Sequence, residues 1–290
     1  MGSRILRLLL QQNFKVVLLK RSFDDTQRIK DFLDDKNLTF VNTDKTPLTD
    51  SFSDRQVNFI IHTATCYGRA GEDISQIVKT NLLLPIELLE MAVKNKVSGF
   101  LNADTFFNEK MEFSGKEKHY VRTKKEFVRM ASDIIGETEV KFINLKIEQM
   151  YGPYDNPTKF TSFLLSEFFK GAPEISLTLG QQERDFIFVD DAAAAFLAVI
   201  NNFDRLDKFE EFGLGWGKAS TLRYFVEQIK EKVKSATLLK WGSLPYRKNE
   251  IMSSQADIKN NFKIQWKPRY SIGQGIEEML KVEFSKAPKK

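Results

Sequence analysis

Apolar positions recur at helical spacing through RILRLLLQQN, residues 4–13, and the next stretch, FKVVLLKRS, stays apolar until it stops at a basic pair. A helix followed by a buried strand therefore opens the chain. TQRIKDFLDDKN has a helical pattern and leads into LTFVNTD, a short strand, while VNFIIHTAT is a further strand rich in β-branched and aromatic residues. A helix from about Ile74 to Lys94, the strand SGFLNAD, a helix beginning near His119 and the strand VKFINLK follow. This alternation predicts an α/β fold, a doubly wound parallel sheet of Rossmann type with helices on both faces. From Tyr151 onward Gly and Pro break the regularity, which predicts a smaller mixed α/β substrate lobe toward the C-terminus. The expected division is a nucleotide-binding domain from 1–146 and 186–235, and a lobe from 147–185 and 236–290.

In such a sheet the phosphate-binding turn joins the first strand to the first helix, whose free N–H groups hold the cofactor pyrophosphate. Here the chain enters that helix directly at Met1-Gly2-Ser3. Gly2 takes the place of the third glycine of a G-x-x-G-x-x-G turn, and the strand before it would lie between the strands at 15–19 and 57–61. The expectation is a Rossmann-type sheet lacking its first strand, through a start codon assigned to an internal methionine or a truncated gene. Each buried backbone group left unpaired on the two neighbours would cost about 1–3 kcal/mol.

A hydrophobic content of 42% in 290 residues is enough for a large core with a smaller lobe, so disorder is not expected. The chain has neither a run of about 18 uncharged apolar residues nor a cleavable signal pattern, and a cytoplasmic location is the default expectation. Cys66 is the only cysteine, and His62 and His119 are the only histidines. An internal disulfide is thereby excluded, and no metal centre is expected. The net charge of +5 comes from basic residues dispersed among acidic ones, which describes a solvated surface and not a nucleic-acid site. KAPKK at the C-terminus reads as a frayed tail.

The candidate chemistry centres on Thr105, Tyr120 and Lys124. Tyr120 and Lys124, four apart in a helical stretch, share one face, so a cation beside the phenol would favour the phenolate and lower its pKa. Thr105, at the end of a strand, can hydrogen-bond the same carbonyl oxygen. The strand at 15–19 ends in Lys20-Arg21 where an NAD-binding site would place an acid for the ribose 2′-hydroxyl. NADP(H) is therefore the expected cofactor, with NAD(H) possible. Asp190-Asp191 open an alanine-rich helix and are expected to cap it.

The motifs arrive in the order of the extended short-chain dehydrogenase/reductase family, also called the NAD-dependent epimerase/dehydratase family. The chain resembles it through GSRILRLLL, HTAT, IVKTNLLLPIELLEMA, Tyr120-x-x-x-Lys124, MYGPYDNPTKF, GQQERDFIFVDDAAAAF, FGLGWGKAST, LPYRKNE and IQWKPRYSIGQGIEEML. The resemblance implies that Tyr120 is the acid/base, that Lys124 holds its charge state and the nicotinamide ribose, and that Thr105 polarises the substrate carbonyl. It implies that Thr63, Ala64 and Asn81 lie along the cofactor, Asn81 by positioning backbone, and that Asp44 lies near the adenine. Arg184 and Arg247 would grip the substrate diphosphate, with Tyr67, Phe106 and Gln149 as further substrate contacts. The helices at 74–94 and 119–135 resemble those that pair in family homodimers.

Branches of the family differ at specific side chains. Dehydratases carry Asp-Glu after the catalytic threonine, where this chain has Phe106-Phe107. Epimerase/reductases carry a cysteine two residues after it and a histidine after Y-G-P, where this chain has Phe107 and Tyr154. Hydride exchange at one carbon remains, either reduction of a 4-keto sugar or 4-epimerisation of a nucleotide sugar. HTATCYGR, NADTFFNE, KIEQMYGP and LPYRKNEIM resemble reductases of the CDP-abequose synthase type, which act on CDP-4-keto-3,6-dideoxyhexoses with NADPH in surface-polysaccharide precursor synthesis. Glu148 departs from the aromatic or aliphatic residue common at its place. A non-catalytic nucleotide-binding remnant is the alternative from another class.

Overall fold

The computed structural model describes residues 1–107 and 115–284, so the KAPKK tail lies outside it. Helix α1 (Gly2–Gln11) buries Ile5, Leu6, Leu9 and Leu10 on one stripe, as its helical spacing requires. Strands β1 (Val16–Lys20) and β2 (Leu38–Asn42) pair in parallel, with Val16 opposite Leu38. Strands β3 (Phe59–His62), β4 (Gly99–Thr105), β5 (Lys141–Ile147) and β10 (Phe209–Leu214) form a separate parallel sheet in the order β10-β5-β4-β3. All of β4 is buried, as a central strand covered on both faces should be. On one side lie α2 (Ile74–Val78), α3 (Leu84–Lys94) and α4 (Gly115–Ile135), around a core of Leu89, Phe100, Phe127 and Phe142. On the other lie α1 and α6 (Val189–Asn201), around Leu101, Ile143, Phe196 and Phe212.

The two sheets do not join. Between β1 and β3 lies a cleft of about 1780 Å³ whose walls include Leu9, Leu18, Leu19, Ile60, Ile61 and Leu88. It occupies the place between the strands at 15–19 and 57–61.

Two segments depart from the helices expected. TQRIKDFLDDKN keeps only a 3₁₀ stretch, Gln27–Phe32, because aspartates at its two ends, one just before it, bond locally. Asp25 accepts from Gln27 N–H at 2.7 Å and Asp35 from Asn37 N–H at 2.8 Å. The helix at 74–94 is interrupted by a π-helical turn, Lys79–Leu83, between α2 and α3. Pro85 has no N–H to donate to the carbonyl of Asn81 four residues earlier, so the ladder loosens there.

A second core forms where β6 (Gln149–Tyr151) pairs with β9 (Phe186–Phe188) and β7 (Glu174–Leu177) with β12 (Leu238–Trp241). Helices α5 (Phe160–Lys170), α7 (Leu222–Val233) and α8 (Ile272–Phe284) enclose it with Leu164, Phe225, Val226, Ile229, Ile276 and Met279. Thus α7 packs with the lobe although 186–235 was expected in the nucleotide domain, and Ile264 and Trp266 pack in the first core. A short antiparallel pair, β8 (Glu183–Arg184) and β11 (Ser220–Thr221), edges the lobe.

Asp190 and Asp191 do not cap α6. Asp191 instead accepts from the backbone of Arg269 (3.0 Å) and Tyr270 (2.9 Å), and Asp190 pairs with Arg4 of α1 at 3.3 Å. Both acids anchor distant chain, a use that their place at a helix start did not reveal. Among the described residues no helix is long and apolar enough to cross a membrane.

Candidate active site

Helix α4 lays Tyr120 and Lys124 against the C-terminal end of β4, and both are buried together with Thr105. Thr105 lies beside the Tyr120 phenol and favours its ionised form. Lys124 donates its Nζ to the carbonyl of Ala103 at 2.8 Å, and burial lowers its pKa to about 8 while Asp104 pulls the other way. Asp104 is itself paired with Lys125 at 2.8 Å. Burial first, and Tyr67 next, push the Tyr120 phenol well above its ordinary range. This corrects the expectation of a depressed tyrosine pKa, because Lys124 turns its ammonium toward Ala103 and the phenol loses its water. A buried, protonated phenol is a proton donor.

The ring of Tyr67 stands 4.9 Å from that of Tyr120, and the Arg69 guanidinium lies 5.6 Å from the Tyr67 ring. Glu117, one turn before Tyr120, pairs with Arg69 at 2.6 Å and reaches Arg247 at 3.7 Å. This acid was missed in the sequence, although three residues before Tyr120 places it on the same helix face. Phe106 and Phe107 follow Thr105 with ring centres 4.3 Å apart, and Phe106 N–H donates to the carbonyl of Ile147 at 3.2 Å. That bond sets the end of β4 beside Glu148 and Gln149. Gln149 N–H donates to the backbone carbonyl of Asp185 at 3.0 Å. Glu148 is buried, accepts from Ser254 Oγ at 2.7 Å, and is pushed up to about 7 by burial, with Ser254 and Arg184 opposing and Asp185 adding to the rise.

Toward the cleft, a Cβ on Gly2 would stand 2.9 Å from Thr63 Oγ1, so glycine lets the start of α1 approach the end of β3. No side chain caps that helix start. Ala64 is exposed beside it. Asn81, fully buried in the π-helical turn, accepts from Cys66 N–H and donates to Cys66 O, each at 2.8 Å, and donates to Thr123 of α4 at 3.3 Å. The loop carrying Tyr67 is thereby held against α4. These groups fit a dinucleotide: an uncapped helix start beside Thr63 for phosphate, and a buried lysine beside the phenol for a ribose.

Lys20, Arg21 and Asp44 sit across the cleft, at the ends of β1 and β2. Arg21 pairs with Asp24 at 2.7 Å and lies 4.7 Å from the Phe23 ring, so its charge is shared. Lys20 Nζ donates to Arg21 O at 2.7 Å, and Asp44 accepts from Ser22 N–H (2.5 Å) and Oγ (2.6 Å). In the lobe, Arg184 is partly buried and pairs with Glu250 at 2.7 Å. The Arg247 side chain is 80% exposed. The structure therefore gathers Thr105, Tyr120, Lys124, Tyr67 and Phe106 closely, whereas both lobe arginines are engaged by glutamates.

The sequence model of the NAD-dependent epimerase/dehydratase family matches residues 1–215. A CDP-abequose synthase of Salmonella typhimurium (strain LT2) is 33% identical over 224 residues, covering 77% of this chain and 75% of that protein. One from Salmonella muenchen is 28% identical over 283 residues, covering 97% and 94%. Among solved structures, a UDP-glucuronic acid 4-epimerase from Bacillus cereus, in complex with UDP-glucuronic acid and NAD, superposes with a TM-score of 0.82 at 18% identity, covering 98% of this chain and 96% of that one.

Proposed function

The chain belongs to the NAD-dependent epimerase/dehydratase family, and from that premise we propose that it reduces a nucleotide-linked 4-keto deoxyhexose, a CDP-sugar first of all, with NADPH. The observation that carries this reading is one buried acid/base centre, Thr105 with Tyr120 and Lys124, flanked by Phe106 and Phe107 where dehydratases place an acid and a base. The similarity to CDP-abequose synthases supports the sugar class. Lys20 and Arg21 at the end of β1 support the phosphorylated coenzyme, and the pairing of Arg21 with Asp24 tempers that preference.

When bound, the coenzyme would supply the hydride for reduction of the sugar carbonyl. Tyr120 donates its proton to the carbonyl oxygen, and burial keeps the phenol protonated until the negative charge develops. Thr105 offers a second hydrogen bond to that oxygen, a form of stabilisation that grows toward the transition state. Lys124, with its pKa near 8, is mostly protonated at neutral pH and keeps a positive charge near the centre. Arg184 and Arg247 hold the diphosphate once they exchange Glu250 and Glu117 for phosphate oxygens.

Product analysis with both coenzymes tests the proposal. One coenzyme oxidised for each CDP-4-keto sugar reduced is the expected result. Interconversion of UDP-hexose 4-epimers with no net coenzyme consumption would replace it with 4-epimerisation.

A further inference from the structure

Strand β4 runs past the end of one of its neighbours. Its ladder with β3 stops at Asn102, whereas its ladder with β5 continues to Thr105. Gly99 N–H donates to Asn58 at the start of β3, and Phe106 N–H donates to Ile147 of β5. By alternation the carbonyls of Ala103 and Thr105 therefore point to the side that β3 has left. Buried carbonyls need donors. Two successive lysines of α4 provide them: Lys124 Nζ donates to Ala103 O at 2.8 Å and Lys125 Nζ to Thr105 O at 3.1 Å.

The Nζ of Lys125 also pairs with Asp104 Oδ2 at 2.8 Å, and the two side chains are only 15% and 1% exposed. The same oxygen accepts from Asn144 Nδ2 of β5 at 3.1 Å, and Asn144 donates in turn to Glu211 of β10 at 2.8 Å. Asp104 Oδ1 has no hydrogen bond among the described residues. A pair this dry is a poor source of stability, because desolvating both charges offsets most of their attraction. Its place is more telling. It lies between two residues set around Tyr120: Thr105, which lies beside the phenol, and Lys124, whose charge Asp104 favours and Lys125 opposes. The other titratable groups near Lys124 are Tyr120, one turn earlier, and His62 at the end of β3, and burial keeps both neutral near neutral pH.

We propose that Lys125 and Asp104 are a positioning pair for this centre, the lysine pinning the backbone of Thr105 and the aspartate holding the charge on Lys124. Each acts through another residue. Both roles presuppose the acid/base centre of Thr105, Tyr120 and Lys124.

Two readouts on the full chain test the pair, one of them independent of turnover. The titration of Lys124 is followed without coenzyme by NMR of the lysine ε-carbon in isotopically labelled protein, its signal assigned by its absence from Lys124→Arg. Asp104→Asn removes the anion and should move the midpoint down by about one pH unit, whereas Lys125→Met removes the cation and should move it up by about as much. The second readout is turnover of a CDP-4-keto sugar with NADPH. A displacement of about 1 Å at a reacting group can cost about a hundredfold in rate. Lys125→Met should therefore lower kcat by about tenfold or more with KM little changed, and Lys125→Arg, which can still reach both oxygens, should restore most of the loss. Where a single variant leaves a buried charge and does not fold, Asp104→Asn combined with Lys125→Met removes both charges and should show the same fall in kcat. A Lys124 midpoint that stays put, or moves the same way in both single variants, overturns the proposal, as does wild-type kcat in Lys125→Met or in the double variant. A wild type that leaves CDP-4-keto sugars untouched while the two midpoints move in opposite directions would remove the proposed reaction and support the pair.

Discussion

Replacing Glu148 by Gln should flatten the dependence of stability on pH. The carboxyl is buried beside Asp185, accepts a hydrogen bond from Ser254 at 2.7 Å, and is raised from 4.5 to about 7, with burial the largest cause. Its folded pKa thus lies above the unfolded one. The stabilising contribution is fully present below about pH 4.5 and is lost as pH rises through about 7. At about 1.36 kcal/mol per pKa unit, the loss between roughly pH 5 and pH 8 is on the order of 2–3 kcal/mol. Gln keeps the shape and still accepts from Ser254, and it does not titrate. Urea unfolding of both proteins across that range should show wild type losing stability toward pH 8 relative to Glu148→Gln. Asp191, also raised by burial, contributes to both proteins and largely cancels in the difference. Parallel pH dependences would refute the reasoning and place Glu148 in a wet, ordinary environment.

Tyr120→Phe should lower turnover by about 10²–10⁴-fold, the usual worth of a positioned acid, with coenzyme affinity by calorimetry little changed. Arg21→Ala should weaken NADPH more than NADH, by up to about tenfold, and equal effects on the two would remove Arg21 from the 2′-phosphate. Asn81→Ala should release the loop at Cys66 and Tyr67, seen as faster hydrogen exchange of Cys66 N–H and a loss of about 1–3 kcal/mol in denaturant unfolding.

The strands and the Tyr120–Lys124 face were legible in the sequence because they rest on local periodicity. A run such as GFLNADT can bury both faces only inside a parallel sheet. What remained hidden depends on partners far away in sequence. Asp191 looks like a helix cap until Arg269 and Tyr270 return to it, and Arg184 looks free until Glu250 closes on it. The helical pattern at 26–37 failed because aspartate side chains outcompete the helix for nearby N–H groups. The direction of the Tyr120 shift was misjudged because burial of the phenol, which no spacing reports, outweighs a lysine four residues away.

The most direct test of the central claim follows coenzyme oxidation by absorbance, with a CDP-4-keto-dideoxyhexose as substrate, in wild type and Tyr120→Phe. Steady, substrate-dependent NADPH oxidation in wild type, nearly abolished in the variant, is the predicted result. Oxidation that continues undiminished in Tyr120→Phe, or no turnover by a wild type that binds both ligands, would contradict it.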